Sequence, residues 1–227
     1  MRAKNIITLP FTIMFFFFFL IILLIIPFII SSAFSALGFS PFTAIMIFLS
    51  ALIGSAVNIP IYSFKTRKPV EVTKPNFSFG FFYPEVKKEY RIMKTTVALN
   101  LGGAVIPIAL TAYLFYTNPG LWLEFLIGIA AVSAISYRLA RPVPGLGITM
   151  PLFIPPILAA LIAFILPSGP NTVIAFVSGV IGVLIGADLL NLSKTAGYGS
   201  RMLSIGGAGT FDGIFLTGIV SVLLAAL

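Results

Sequence analysis

Histidine and cysteine are both absent from the 227 residues, and only 9% of the chain is charged. Without cysteine there is neither a disulfide framework nor a thiol nucleophile. Without histidine there is no imidazole metal ligand, no axial ligand of that type for a haem, and no serine/histidine dyad. No cofactor or metal is expected. Acidic side chains are scarce too: six in all, of which only Asp188 and Asp212 are aspartates. What fills the chain is apolar, with 59% hydrophobic residues and a mean hydropathy of +1.13. That composition excludes a soluble domain and predicts an all-α integral membrane protein, multipass in the cell membrane and a single transmembrane domain over 1–227.

Hydropathy marks out apolar stretches at 6–30, 41–62, 96–116, 121–137, 148–166, 172–192 and 208–227. Each is near the roughly 20 residues that cross about 30 Å of hydrocarbon, so seven spans are expected. The first, with its run Phe15 to Phe19, is longer than the apolar core of a signal peptide and lacks a small-residue cleavage pattern before Ser31, so it is read as a retained span.

The basic residues set the orientation. Arg2 and Lys4 precede the first span, eight lie between Lys65 and Lys94, Arg138 and Arg141 follow the fourth, and Lys194 and Arg201 follow the sixth. With seven spans all 14 fall on one side, which gives a cytoplasmic N-terminus and an external C-terminus. The net charge of +8 is explained by this topology and by attraction to anionic headgroups of the lipid bilayer, with no nucleic acid as partner. The sizeable polar piece is the cytoplasmic loop 63–95. Its Val70, Val72, Phe77, Phe79 and Phe81 alternate between prolines, which predicts a short β-hairpin with aromatics at headgroup level, serving as a cap on the helix ends or as an edge for a partner.

A weak internal echo joins Leu52-Ile53-Gly54 to Leu184-Ile185-Gly186, and Gly102-Gly103-Ala104 to Gly206-Gly207-Ala208. If it reflects a duplication, Asn58 and Asn100 lie beside the counterparts of the aspartates.

The chemistry concentrates at two helix ends. Asp188 closes the sixth span in Gly186-Ala187-Asp188-Leu189-Leu190-Asn191, and Asp212 opens the seventh in Gly206-Gly207-Ala208-Gly209-Thr210-Phe211-Asp212-Gly213. A carboxylate in hydrocarbon costs several kcal/mol and is kept for a partner or a task. Both lie roughly 6 to 8 Å inside the same membrane face by helical rise, on spans joined by a short connection and hence expected to be antiparallel neighbours. The glycines let the backbones approach closely. Two carboxylates a few ångströms apart disfavour double ionisation and share a proton, which is the acid/base apparatus of an aspartyl protease. Other roles fit the same residues. Asp212 can cap its helix after Thr210, and Asp188 can pair with Lys194, Arg201 or Arg141. Glu124, beside Trp122, reads as an interface residue, and Glu71, Glu85 and Glu89 as loop charges. The proline- and glycine-rich approach to the fifth span, Pro142 to Pro156, and the segment Asn100 to Pro107 predict irregular backbone at the level of the aspartates, either around a wet cavity or in ordinary kinked packing.

The run Ser204 to Gly218, with Gly186 to Leu192 and Asn100 to Ala104, resembles an uncharacterised family of archaeal and bacterial multipass membrane proteins known as a domain of unknown function. More distantly, the layout resembles the GxGD intramembrane aspartyl proteases, the presenilin, signal-peptide-peptidase and prepilin-peptidase group. That resemblance implies Asp188 as first catalytic aspartate, Asp212 as second and Gly209 as the first motif glycine, with a transmembrane peptide as substrate; from the sequence itself Gly206, Gly207, Thr210, Gly213, Asn191, Asn100 and Pro107, the small and polar residues of the same helix ends, are the expected supporting residues. Phe211 stands where the family has a glycine, Ala187 where a tyrosine is common, and no Pro-Ala-Leu triplet occurs. The competing readings are a transporter in which the aspartates bind a cation or relay protons, and a noncatalytic subunit whose aspartates only cap and pair.

Overall fold

The computed structural model describes residues 4–78, 81–143, 147–166, 169–196, 202–207 and 213–227. Apolar runs set its helices, and asparagine, glycine and proline set where they stop. The first helix, α1 (Lys4–Ala36), is 33 residues long. Of its apolar window Ile13–Ala36 only 7% is buried, because five consecutive phenylalanines point to every side of a helix and no single neighbour can cover them. Its far end is anchored: Phe34 is buried, with its ring 6.5 Å from that of Phe215. Ser40 then caps α2 (Pro41–Gly54), its hydroxyl oxygen accepting from the Thr43 N–H at 3.2 Å ahead of a proline that needs no partner.

Beyond Gly54 the chain turns into β1 (Asn58–Ser78), which pairs antiparallel with β2 (Phe81–Asn100) from Asn58↔Asn100 to Ser78↔Phe81. A π-helical turn, Leu101–Val105, leads from β2 into α3 (Ile106–Thr117). Pro107 explains the widened turn: it has no N–H to give the Gly103 carbonyl, and Ile106 donates to Leu101 instead. Helix α4 (Trp122–Leu139) is followed by a small hairpin, β3 (Arg141–Val143) with β4 (Gly147–Thr149), and then by α5 (Ile154–Ile165). Helix α6 (Asn171–Val183) runs on as a π-helical segment, Leu184–Leu189. The short α7 (Leu192–Ala196), strand β5 (Met202–Ile205) and α8 (Gly213–Ala225) complete the order.

Helix α6 is the axis of the bundle, packed by α3, α4, α5 and α8, and its window Asn171–Thr195 is 72% buried. Close approach comes from small residues: Gly128 faces Ser178, and Gly179 faces Thr217 and Ser221. Among the described residues three helical stretches, Ile13–Ala36, Pro119–Leu139 and Asn171–Thr195, are long and apolar enough to cross a membrane, and four shorter apolar helices accompany them.

The structure is mostly helical, as expected, but beyond the expected hairpin it contains a sheet of order β1-β2-β5, in which β5 runs parallel to β2 from Thr96↔Met202 to Leu99↔Ile205. The stretch expected as a span over 41–62 is helical only to Gly54, and that over 96–116 begins as a strand. Hydropathy merges them because Ile59, Ile61, Val97 and Leu99 are as apolar as helix residues, yet Pro60 and the β-branched neighbours favour the extended backbone. The expected short hairpin in 63–95 is instead a ladder of 21- and 20-residue strands. The fifth stretch, 148–166, is helical only from Ile154, since Pro151 and the bends at Leu152 and Phe153 delay its start. Glu124, expected at an interface, is buried at 8% exposure in the first turn of α4.

A carboxylate cavity at the interrupted end of α6

At the end of α6 the helix widens. Leu190 donates to the carbonyl of Ile185 at 3.0 Å, one residue further back than in an α-helix. The widened segment lies on α4 through Gly186, where a Cβ would strike the backbone of Ser133. Widening a helix end frees carbonyls, and Asn191 collects them: fully buried, its amide donates to Gly186 at 2.9 Å and Ala187 at 3.1 Å. Lys194 donates in turn to the Asn191 Oδ1 at 2.8 Å and sits 4.2 Å from the centre of the Tyr137 ring. The ammonium expected as a partner for Asp188 is thus held by Asn191 and Tyr137.

Asp188 lies in this segment, half-buried, and its Oδ2 accepts from the Gly206 N–H at 3.2 Å. Gly206 turns with φ of +73°, and an added Cβ would sit 2.6 Å from that of Ala104. Both the backbone sense and the space therefore require glycine. The carboxylate opens on a cavity of about 240 Å³ lined on one side by Val183 and Ala187, on a second by Ile148, Thr149 and Met150, and on a third by Gly213, Ile214 and Thr217 of α8.

A second polar cluster sits behind Gly206. Asn100, 1% exposed, uses its amide for the Ser55 carbonyl at 2.7 Å and for Asn58 Oδ1 at 3.2 Å, while its Oδ1 accepts from the Gly103 N–H at 2.8 Å. It thereby closes the end of α2 and opens the turn into α3. Ser204 donates to the same Asn58 Oδ1. Close contact makes this possible, since a Cβ on Gly102 would collide with the Ala51 carbonyl. Strands β2 and β5 run parallel, β2 leading into Gly102-Gly103-Ala104 and β5 into Gly206-Gly207.

Of the expected site residues, Asp188 and Gly213 share the cavity, Gly206 binds the Asp188 carboxylate, and Asn191 secures the helix end that carries it. Asn100 and Gly207 belong to the adjoining cluster around Asn58, and Pro107, buried at the start of α3, accepts from the Thr111 hydroxyl at 2.9 Å. Asp212, Gly209 and Thr210 lie outside the described residues. Thr149, Met150 and Thr217 in the cavity wall were not expected individually. The proline-rich approach to α5 announced irregular backbone there, and Thr217 lies one helical turn after Gly213 on the same face.

A family model described as "Protein of unknown function (DUF1614)" matches residues 52–224. Neither a curated protein nor a solved structure matches the chain.

Proposed function

We propose that this chain, which belongs to the DUF1614 family, is a multipass membrane protein in which Asp188 and Asp212 act as one acid/base pair on a transmembrane peptide. Its seven spans run from a cytoplasmic N-terminus to an external C-terminus, as the distribution of all 14 basic residues favours. The observation that carries the catalytic reading is the pairing of Asp188 with the two ends of the segment that bears Asp212. Gly206, before that segment, donates to the Asp188 carboxylate, and Gly213, the covalent neighbour of Asp212, lines the same cavity.

In this chemistry one carboxylate takes a proton from water as its oxygen attacks the peptide carbonyl carbon. The other, protonated, hydrogen-bonds the carbonyl oxygen and then protonates the departing nitrogen as the C–N bond breaks. The site needs no cofactor for these steps. Met150, between the end of β4 and a proline, brings irregular backbone to the wall beside the carboxylate, of the kind tolerated in a bilayer only against protein or a wet cavity. The test is cleavage of a transmembrane reporter peptide in liposomes. Wild type should cut it, whereas Asp188→Asn and Asp212→Asn should each lose at least about a hundredfold in rate, the usual scale for one acid/base group. Full activity in either variant sinks the reading.

A transport role is supported by a different observation. Among the described residues the hydroxyls of Ser133 and Ser136 on α4 and of Ser178 on α6 are buried without a hydrogen-bond partner, in a bundle that also buries Glu124. Polar groups through a bundle interior mark ion or proton paths. Proton flux into the same liposomes, abolished by Glu124→Gln and unaccompanied by peptide cleavage, would favour this role.

A further inference from the structure

Beside the carboxylate cavity, sharing its Thr149 and Met150, lies a second concavity of about 440 Å³ lined by Arg138, Leu139, Arg141, Thr149, Met150 and Pro151. Arg138 occupies the last turn of α4 and Arg141 opens β3, so a helix end and a strand start three residues apart bring both arginines to its wall. The Thr149 hydroxyl donates to the Arg141 carbonyl at 3.1 Å and pins the floor against them. Among the described residues no carboxylate lines this concavity, and neither guanidinium has an ion-pair or hydrogen-bond partner. Two exposed cations at one small depression repel each other, and among the described residues nothing lining it supplies a counter-charge. The remaining wall, Leu139, Met150 and Pro151, is apolar.

We propose that this concavity binds a phosphate group, with the planar forks of Arg138 and Arg141 on its oxygens and the apolar wall against whatever the phosphate carries. Arginine forks match phosphate bidentately, where a lysine gives only a point charge. The phosphate comes either from an anionic phospholipid headgroup, whose glycerol and acyl carbons the apolar wall would cover, or from free phosphate. This proposal is independent of the acid/base role of Asp188. Its lipid form needs only that the apolar helices cross a bilayer.

The test uses the full chain in neutral micelles, titrated with phosphatidylglycerol, phosphatidylcholine and inorganic phosphate, with occupancy read by native mass spectrometry. Wild type should bind phosphatidylglycerol saturably. Each of Arg138→Gln and Arg141→Gln should weaken it about fivefold and the double variant about thirtyfold, at the usual strength of a basic residue near an anionic surface. Arg138→Lys/Arg141→Lys, which keeps the charge and loses the fork, should fall between, and serves in place of the glutamine pair if that pair fails to fold. If inorganic phosphate binds saturably, with the same dependence on both arginines, free phosphate is the ligand. If it neither binds nor competes, the headgroup is. Unchanged binding of every probe in the double variants overturns the proposal. So does an equal loss from Lys87→Gln/Lys88→Gln in the long hairpin, since attraction would then follow net charge and not this site.

Discussion

At the scale of single residues the account rests on two buried asparagines. Asn100 bridges the end of α2 and the turn before α3 through contacts to Ser55, Asn58 and Gly103. Asn100→Ala leaves a buried carbonyl and N–H unsatisfied, and we expect a loss of about 2–4 kcal/mol. Unfolding in mixed micelles measures it, and a loss below about 1 kcal/mol would show that water replaces the amide there. A sharper contrast concerns two glycines. Gly102→Ala drives a Cβ into the Ala51 carbonyl, whereas Gly120 faces open space, so Gly120→Ala should leave stability unchanged within about 0.5 kcal/mol while Gly102→Ala destabilises by more than about 2 kcal/mol. Equal effects in that pair of variants would mean that α2 and the π-helical turn yield without cost. The sequence made Asn100 and Asn191 conspicuous, as amides in apolar runs, but not what they do. Asn100 caps a carbonyl 45 residues away, and no local pattern encodes such a partner.

At the scale of elements, helices were legible because their apolar runs are long, and their interiors agree with expectation from Lys4 to Ala36 and from Asn171 to Leu189. The sheet was not. Ile59 and Ile61 in β1, and Val97 and Leu99 in β2, extend a hydropathy window as effectively as helix residues do, and a period of two cannot be read over so few positions. The parallel pairing of β5 with β2 was less visible still, since it joins Thr96–Leu99 to Met202–Ile205 with α3 to α7 between them in the chain. Strand β2 is central in the order β1-β2-β5, and β5 lies at an edge. Amide hydrogen exchange in micelles should therefore protect Val97 and Ala98 more strongly than Met202–Ile205. Equal and fast exchange in both segments would remove the strand that positions Gly206 beside Asp188.

At the scale of the molecule, the absence of cysteine makes the topology and the candidate site open to the same chemistry, because any introduced thiol is unique. A cysteine at Lys68 or Lys88 should react only from the cytoplasmic side, and one at Ser35, at the exposed end of α1, only from outside. Reaction of Ser35→Cys and Lys88→Cys from one side would mean that the segment of α2 between them does not cross the membrane, and would invalidate the seven-span orientation. The layout of the site was legible in part: the sequence brought out Asp188, Gly206 and Gly213, and the fold gathers these around one carboxylate. The wall of Thr149 and Met150 was hidden because it depends on how the β3–β4 hairpin folds over the end of α6.

The most direct test of the central claim is oxidative cross-linking of Asp188→Cys/Asp212→Cys in the full chain, with Asn58→Cys/Ser204→Cys as the reference pair whose native side chains are hydrogen-bonded. A disulfide needs Cβ atoms about 3.5–4.5 Å apart, a separation at which two carboxylates can share a proton or one water. The account predicts an intramolecular bond in both pairs, formed at comparable rates under mild oxidation. A reference pair that closes while Asp188→Cys/Asp212→Cys stays reduced would contradict the acid/base pair.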